Sequence, residues 1–186
     1  MNDEIFQDFH PDEKYTTRIK NILTEYPHGS QILREILQNS DDAKSTVQIF
    51  ILNHKTYPSE SLFDSELKRY QGPALLSAND TIFQPEDFKS LVSLANSEKI
   101  DKYDKIGVMG IGFNSIFHIS DVSSIISGST YVLIDPHARK YCKRKPGQRG
   151  FTTDFLEHGL LNSHPDQFDP FLVEFIKSEL IKKVKV

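Results

Sequence analysis

Apolar residues recur along the chain with the periods of helices and strands, and these patterns predict the main elements. Spacings of three and four residues predict amphipathic helices, while short β-branched and aromatic runs predict strands. The predicted helices cover residues 13–26, 31–42, 85–95, 112–120, 154–161 and 168–181, and the predicted strands cover 47–52, 74–78, 122–126 and 131–135. The last two strands are predicted to form a hairpin around Ser127-Gly128-Ser129.

This order of elements predicts an α/β (α+β) fold with one mixed, mostly antiparallel sheet covered on one face by helices. Residues 1–12 are polar and are predicted to form an N-terminal arm, and residues 13–186 are predicted to form one domain. Residues 53–70 are predicted to be a long loop or an insertion, and residues 140–150 a basic loop. No internal repeat or linker divides the sequence.

Composition narrows the class of protein. The chain has 186 residues, 38% of them hydrophobic and 26% charged, which is typical of a soluble globular domain. A net charge of -4 argues against non-specific nucleic-acid binding, although the basic run between Lys140 and Arg149 is either a solvated loop or a local binding patch. A single cysteine excludes a disulfide framework, and no apolar stretch approaches the roughly 20 residues of a membrane span. We therefore expect a cytoplasmic protein that binds neither nucleic acid nor membrane.

The helix predicted over 31–42 carries a polar strip beside its apolar face. Glu35, Asn39 and Asp42 stand at i, i+4 and i+7, so their side chains fall on successive turns of one side of the helix. A carboxylate, an amide and a second carboxylate then border the core. This pattern suits either a functional site or an ordinary solvated helix flank.

Three glycines, at positions 107, 110 and 112, stand at spacings of three and two in an otherwise apolar run. Glycine loses the most backbone freedom on folding, so such a cluster indicates a tight turn or a close backbone approach. A glycine turn that opens a helix presents free N–H groups to a phosphate, but it can equally connect a strand to a helix without a ligand. The polar segment 96–105 before it is either a lid over a site or a surface loop.

Together, these two motifs resemble those of the GHKL ATPase superfamily, which includes gyrase, the ninety-kilodalton heat-shock chaperone, histidine kinases and mismatch-repair ATPases. Residues 33–43, Leu-Arg-Glu-Ile-Leu-Gln-Asn-Ser-Asp-Asp-Ala, look like its Glu-x-x-x-Asn-x-x-Asp-Ala box, and residues 106–115 look like its glycine-rich box. Within the superfamily, Gln71-Gly72-Pro73-Ala74-Leu75, His118-Ile119-Ser120-Asp121 and Asp135-Pro136-His137-Ala138-Arg139 resemble the sacsin repeat. The resemblance runs from about Thr16 to Arg139 and implies a two-layer sandwich of the Bergerat type.

The resemblance also implies roles for matching residues. Glu35 would be the general base that orients the water attacking the γ-phosphate of ATP, Asn39 would bind Mg²⁺, and Asp42 would support the nucleotide through water. The phosphates would be held by backbone N–H groups of Gly110, Ile111, Gly112 and Phe113. Asn79 and Asp80 would contact adenine, and Lys99 or Lys105 of the lid would contact phosphate.

The sequence departs from the superfamily pattern at three places, the first of which is a short lid. The adenine box, Asp-x-Gly-x-Gly in the family, appears here as Asn79-Asp80-Thr81-Ile82-Phe83 without either glycine. The closing strand with its Gly-Thr pair is not found before Val186, so the domain is expected to lack its last strand. These departures leave two hypotheses: an ATP-binding, slowly hydrolysing module of a sacsin-like chaperone, or an inactive pseudo-ATPase that serves protein interaction. Client proteins or other domains of a larger chaperone are the expected partners; a phosphotransferase is a third class, with no phosphoacceptor histidine placed by a motif.

Overall fold

The computed structural model describes residues 15–25, 29–95, 112–137 and 149–173. Its longer helices are α1 (Tyr15–Glu25), α2 (Gln31–Asp42) and α3 (Pro85–Ala95), and two short helices, α4 (Leu160–Ser163) and α5 (Pro165–Phe168), follow late in the chain. The strands are β1 (Gln48–Asn53), β2 (Ala74–Asn79), β3 (Ser123–Ser127), β4 (Thr130–Ile134) and β5 (Gly150–Asp154). Three further turns of 3₁₀ helix cover Ser65–Tyr70, Gly112–His118 and Asp169–Phe171.

Helix α2 ends in a tight left-handed turn that leads the chain into β1. Lys44 has φ 61°, the N–H of Lys44 donates to Asp41 O at 2.8 Å, and the N–H of Ser45 donates to Ser40 O at 2.9 Å. This pair of bonds is the Schellman arrangement, which satisfies carbonyl groups at a helix end. The turn fixes where the loop between α2 and β1 begins.

The described strands form two antiparallel sheets. Strands β1 and β2 pair from Gln48 opposite Asn79 to Asn53 opposite Ala74. The second sheet has the order β3-β4-β5, and its first hairpin turns at Gly128, whose φ is 59°. Glycine adopts such a left-handed backbone without the steric cost that a Cβ would bring.

Both faces of the central strand β4 are buried because successive side chains point to opposite sides of a sheet. Tyr131 and Leu133 belong to a cluster with Phe168 and Leu67, under the segment 62–70 and helix α5. Val132 and Ile134 belong to a second cluster with Leu91 of α3 and the partly buried aromatic residues of the segment Gly112–His118. This sheet is therefore a middle layer.

Phenylalanine rings hold the first cluster together. The ring of Phe63 packs edge-on against Tyr131 at 5.3 Å between centroids and against Phe168 at 5.8 Å. Tyr131 is completely buried, and this burial raises the pKa of its hydroxyl above the usual range. Gln167 Nε2 donates a hydrogen bond to this hydroxyl, and the Ser124 hydroxyl forms a second one with it. The 54–73 segment is thus joined to α5 through the core.

The structure confirms most of the predicted elements and corrects several details. The described strands form two antiparallel sheets, where one mixed sheet was predicted. Segment 112–118 is a 3₁₀ helix rather than an α-helix, and residues 155–159 form turns instead of the predicted helix. Strand β5 was not predicted; its first residue, Gly150, runs so close to β4 that an added Cβ would collide with the carbonyl oxygen of Leu133. The prediction of helical cover on one face is wrong for the second sheet, because helical segments pack on both of its faces.

Several predicted features lie outside the described residues. They are the N-terminal arm 1–12, the polar segment 96–105, most of the basic loop 140–150 and the end of the chain from residue 174. Within the ranges given above, no helix is both long enough and apolar enough to cross a membrane.

Candidate functional site

Helix α2 and the segment Gly112–His118 pack directly against each other, and this contact forms the candidate site. A Cβ built on Gly112 would lie 2.8 Å from Glu35 Cδ and closer still to Glu35 Oε2. A Cβ cannot approach another atom so closely, so any other residue at position 112 would push the Glu35 carboxylate out of the place that it occupies here. The structure thus brings Glu35 of the first motif together with Gly112, which belongs to the described end of the glycine-rich motif.

The carboxylate of Glu35 is half-buried and has one hydrogen-bond donor among the described residues. Gln31, one helical turn earlier, donates from Nε2 to Oε1 at 2.7 Å. The other oxygen, Oε2, faces Gly112. An ionised carboxylate has about four acceptor positions, so most of this group's capacity is left for other donors.

Asn39 and Asp42 follow Glu35 along the same side of α2, as the spacing predicts. Asn39 is half-buried, and Asp42, the last residue of the helix, is exposed. In the described part of the chain, neither side chain has a hydrogen-bond partner. Two oxygen-bearing groups therefore continue the line of Glu35 toward the end of the helix.

Phe113 anchors the glycine-rich segment in the core. Its half-buried ring packs with the cluster of Leu91, Val132 and Ile134. The next two residues, Asn114 and Ser115, are buried as well, at 3% and 0% exposure. Because three consecutive residues are held in the interior, the backbone of Gly112 has a fixed position beside α2.

Asn79 connects the end of β2 to the buried side of α2. Its Nδ2 donates to Ser40 Oγ at 3.0 Å, and its Oδ1 accepts the backbone N–H and the hydroxyl of Thr81 at 3.1 and 3.0 Å. Ser40, only 2% exposed, donates its hydroxyl to Gln48 Oε1 in β1. The amide of Asn79 is therefore engaged at both ends.

Asp80 holds the loop between α2 and β1. Its Oδ1 accepts the Ser45 hydroxyl at 2.6 Å and the backbone N–H groups of Thr46 and Val47 at 2.9 and 3.1 Å, and its Oδ2 accepts the Thr46 hydroxyl at 2.5 Å. These donors, the Ser45 hydroxyl first and the Thr46 hydroxyl next, hold the pKa of Asp80 well below its usual range. We call this group, Ser45, Thr46, Val47 and Asp80, the Asp80 clasp.

The structure thus gathers seven of the predicted site residues on or next to α2. They are Glu35, Asn39, Asp42, Asn79, Asp80, Gly112 and Phe113. The other predicted residues, Lys99, Lys105, Gly110 and Ile111, lie outside the described residues. Among the residues described, no group of three or more His, Cys, Asp or Glu side chains could hold a metal ion by itself.

Sequence reasoning missed the partners of the two carboxylates. Gln31 stands four residues before Glu35, and residues at this spacing are neighbours on a helix, so the hydrogen bond could have been anticipated. The clasp joins residues more than 30 positions apart in the sequence, and no local pattern indicates it.

Comparison with known proteins gives a consistent family assignment. A family model described as Sacsin domain matches residues 12–184. Human sacsin is 39% identical over 154 residues, which is 83% of this chain. The chaperone protein HtpG of Clostridium botulinum is 25% identical over 177 residues, or 85% of the chain, and Protein NO VEIN of Arabidopsis thaliana is 30% identical over 112 residues, or 59% of the chain.

The aligned region is a small part of each relative. It spans 3% of human sacsin, 28% of HtpG and 4% of NO VEIN. The similarity therefore describes one domain and leaves most of each relative without a counterpart in this chain.

Proposed function

This chain belongs to the Sacsin domain family, and on that premise we propose that it binds ATP with Mg²⁺ and hydrolyses it slowly, as a module of a sacsin-like chaperone. The distant similarity to HtpG, a protein named as a chaperone, supports the chaperone part of the proposal. The catalytic part depends on the residues of α2.

One observation carries the proposal: the Glu35 carboxylate lies against the backbone of Gly112. A carboxylate placed beside a glycine-rich turn can accept a proton from a water molecule while nearby N–H groups bind the anion that the water attacks. The half-buried position limits access of bulk water, and the Gln31 amide holds one oxygen in place. Glu35 would thus act as the general base.

The donor groups along α2 fit a hard cation. Magnesium prefers oxygen ligands and is usually held by one or two protein groups together with substrate phosphates. Asn39 would supply an amide oxygen, and Asp42 would support the site through water from its exposed position. The bound ion would neutralise charge on the phosphates of the nucleotide.

Calorimetric titration of the purified chain with ATP, with and without Mg²⁺, tests binding. We expect saturable binding that weakens when Mg²⁺ is removed, and release of inorganic phosphate at a slow rate. No heat of binding at millimolar ATP from a chain that is folded by circular dichroism would contradict the proposal.

Glu35→Ala tests the base. We expect phosphate release to fall by about 10²–10⁴-fold, the usual contribution of general base catalysis, while ATP affinity is retained. Glu157→Ala is the matched control, since Glu157 is an exposed glutamate in the turn after β5. Turnover that is equal in the two variants would show that Glu35 is not the base.

The Asp80 clasp favours a second candidate function, a pseudo-ATPase that serves as a protein-interaction module. The carboxylate predicted to read adenine already accepts the hydroxyls of Ser45 and Thr46 and two backbone N–H groups. A folded chain that fails to bind ATP in the titration above, yet retains this clasp, would support the pseudo-ATPase over the ATPase.

A further inference from the structure

The first residue of α2 contacts the carboxylate on which the proposed chemistry depends. Gln31 is half-buried, and its Nε2 donates to Glu35 Oε1 at 2.7 Å. The two residues are one helical turn apart, where side chains on the same side of a helix meet. The hydrogen bond therefore lies within one rigid element and does not depend on how distant segments pack.

The second oxygen of Glu35 lies beside Gly112. Glu35 Oε2 occupies the space that a Cβ on Gly112 would need. A glutamate side chain has three rotatable bonds and loses considerable freedom when it is held in one position. Here the Gln31 amide limits that freedom at one oxygen, and the glycine leaves room for the other.

Glutamine suits this task because it donates a hydrogen bond without carrying a charge. It leaves the carboxylate anionic, whereas a lysine or arginine in its place would add a positive charge beside the group that must attract a proton. Its carbonyl oxygen is left to accept a hydrogen bond from another donor. Gln31 can thus orient Glu35 without neutralising it.

We propose that Gln31 is the positioning residue of the proposed ATPase site: its amide holds the Glu35 carboxylate against Gly112 in the orientation that accepts a proton from water. This role rests on the proposed function. It adds a residue that acts through Glu35 and does not touch the nucleotide.

Gln31→Met tests the role, because methionine has nearly the same length and helix propensity but no hydrogen-bond donor. We expect kcat for ATP hydrolysis to fall about tenfold with little change in KM, since the orientation of the base is lost and nucleotide binding is kept. Gln31→Glu should lower kcat further because it places a second carboxylate beside Glu35. Gln38→Met, at an exposed position of the same helix, is the matched control and should behave like the wild type.

A double-mutant cycle separates positioning from general stability. In the Glu35→Ala background, Gln31→Met should have no further effect on residual turnover, because the group that it orients is gone. An additional loss there, or a change in KM instead of kcat, would overturn the positioning role.

A measurement without turnover tests the contact itself. The side-chain amide resonances of Gln31 in ¹⁵N-resolved NMR should shift in Glu35→Ala and not in Glu157→Ala. If the wild type hydrolyses ATP and Gln31→Met matches it, this inference fails and the proposed function stands. If the wild type neither binds nor hydrolyses ATP, both fail.

Discussion

Two carboxylates near α2 have opposite surroundings. Asp80 accepts four hydrogen bonds from the loop that follows the helix. Among the residues that the structure describes, Glu35, in the middle of the helix, accepts one from Gln31 and otherwise faces the backbone of Gly112. Both were predicted to serve the same nucleotide site, at its adenine end and its phosphate end.

The difference indicates which carboxylate is available for chemistry. A carboxylate offers about four acceptor positions, and the donors of the clasp already use that number at Asp80. Such a group contributes to folding, because its partners would otherwise be left without acceptors. Glu35 keeps most of its capacity, and glycine provides its space, which is the arrangement expected where a ligand must be admitted.

Among the substitutions that test this difference between the two carboxylates, the largest expected effect comes from filling the space beside Glu35. In Gly112→Ala, the added Cβ would displace the carboxylate, since it would lie 2.8 Å from Glu35 Cδ. We expect ATP turnover to fall about 100-fold, because a displacement of about 1 Å in a catalytic group can cost that much. Gly72→Ala is the control, as nothing lies within 4 Å of a Cβ there. Phosphate-release assays of both variants make the comparison.

The clash between a side chain at position 112 and Glu35 can also be tested by stability, without measuring ATP turnover. In Glu35→Ala the crowded carboxylate is absent, so adding Gly112→Ala should lower the urea midpoint less than it does in the wild type. Equal losses of stability in the two backgrounds would mean that the clash with Glu35 is not what excludes a side chain at 112.

The elements around Glu35 could be predicted because their signals are local. Helix α2 was predicted over 31–42 and is found at Gln31–Asp42, since the apolar residues of its first two turns follow the 3.6-residue period. The strip of Glu35, Asn39 and Asp42 follows from the same geometry. That the two motifs contribute to one site was anticipated through the family resemblance, but the direct contact of Glu35 with Gly112 was not, because no spacing in the sequence reports it.

Features that depend on tertiary contacts could not be predicted in this way. Strand β5 has only three strand-forming residues, Phe151-Thr152-Thr153, between Gly150 and Asp154, and its pairing with β4 decides its conformation. The adjoining residues 155–159 were predicted helical, but Asp154 accepts the N–H groups of Leu156 and Glu157 and stabilises a turn there. The Asp80 clasp was missed for the same reason.

A smaller effect is expected on stability when each of the two carboxylates is replaced by the corresponding amide. Asp80→Asn removes the charge and places N–H₂ donors among groups that are themselves donors, so we expect a clear fall in the urea midpoint. Glu35→Gln should leave the midpoint nearly unchanged, because its carboxylate has one donor among the described residues. Urea denaturation followed by circular dichroism measures both. A greater loss for Glu35→Gln would reverse the assignment of structural and functional carboxylate.

The stability lost in Asp80→Asn should depend on pH, because the pKa of Asp80 differs between the folded and the unfolded protein. The Ser45 and Thr46 hydroxyls lower that pKa in the folded protein, so ionised Asp80 stabilises the fold above its unfolded pKa of about 4. This stabilisation is lost as the pH falls from the unfolded pKa toward the lower pKa that Asp80 has in the folded protein. The difference in stability between wild type and Asp80→Asn should therefore be constant from pH 5 to 7 and shrink below about pH 4. Asp154 and Asp166, whose pKa values are also lowered by hydrogen bonds, are present in both proteins.

The smallest expected effect comes from removing one donor of the clasp. Thr46→Val keeps the side-chain shape and the backbone N–H but deletes the hydroxyl that donates to Asp80 Oδ2 at 2.5 Å. Ser45 and two backbone groups still donate to Oδ1, so the urea midpoint should fall by less than in Asp80→Asn. In the Asp80→Asn background the same change should have almost no effect, because the acceptor charge is already gone. If the falls in urea midpoint caused by Thr46→Val and Asp80→Asn add in full, Thr46 stabilises the loop independently of Asp80. The hydroxyl of Thr46 would then not belong to the clasp.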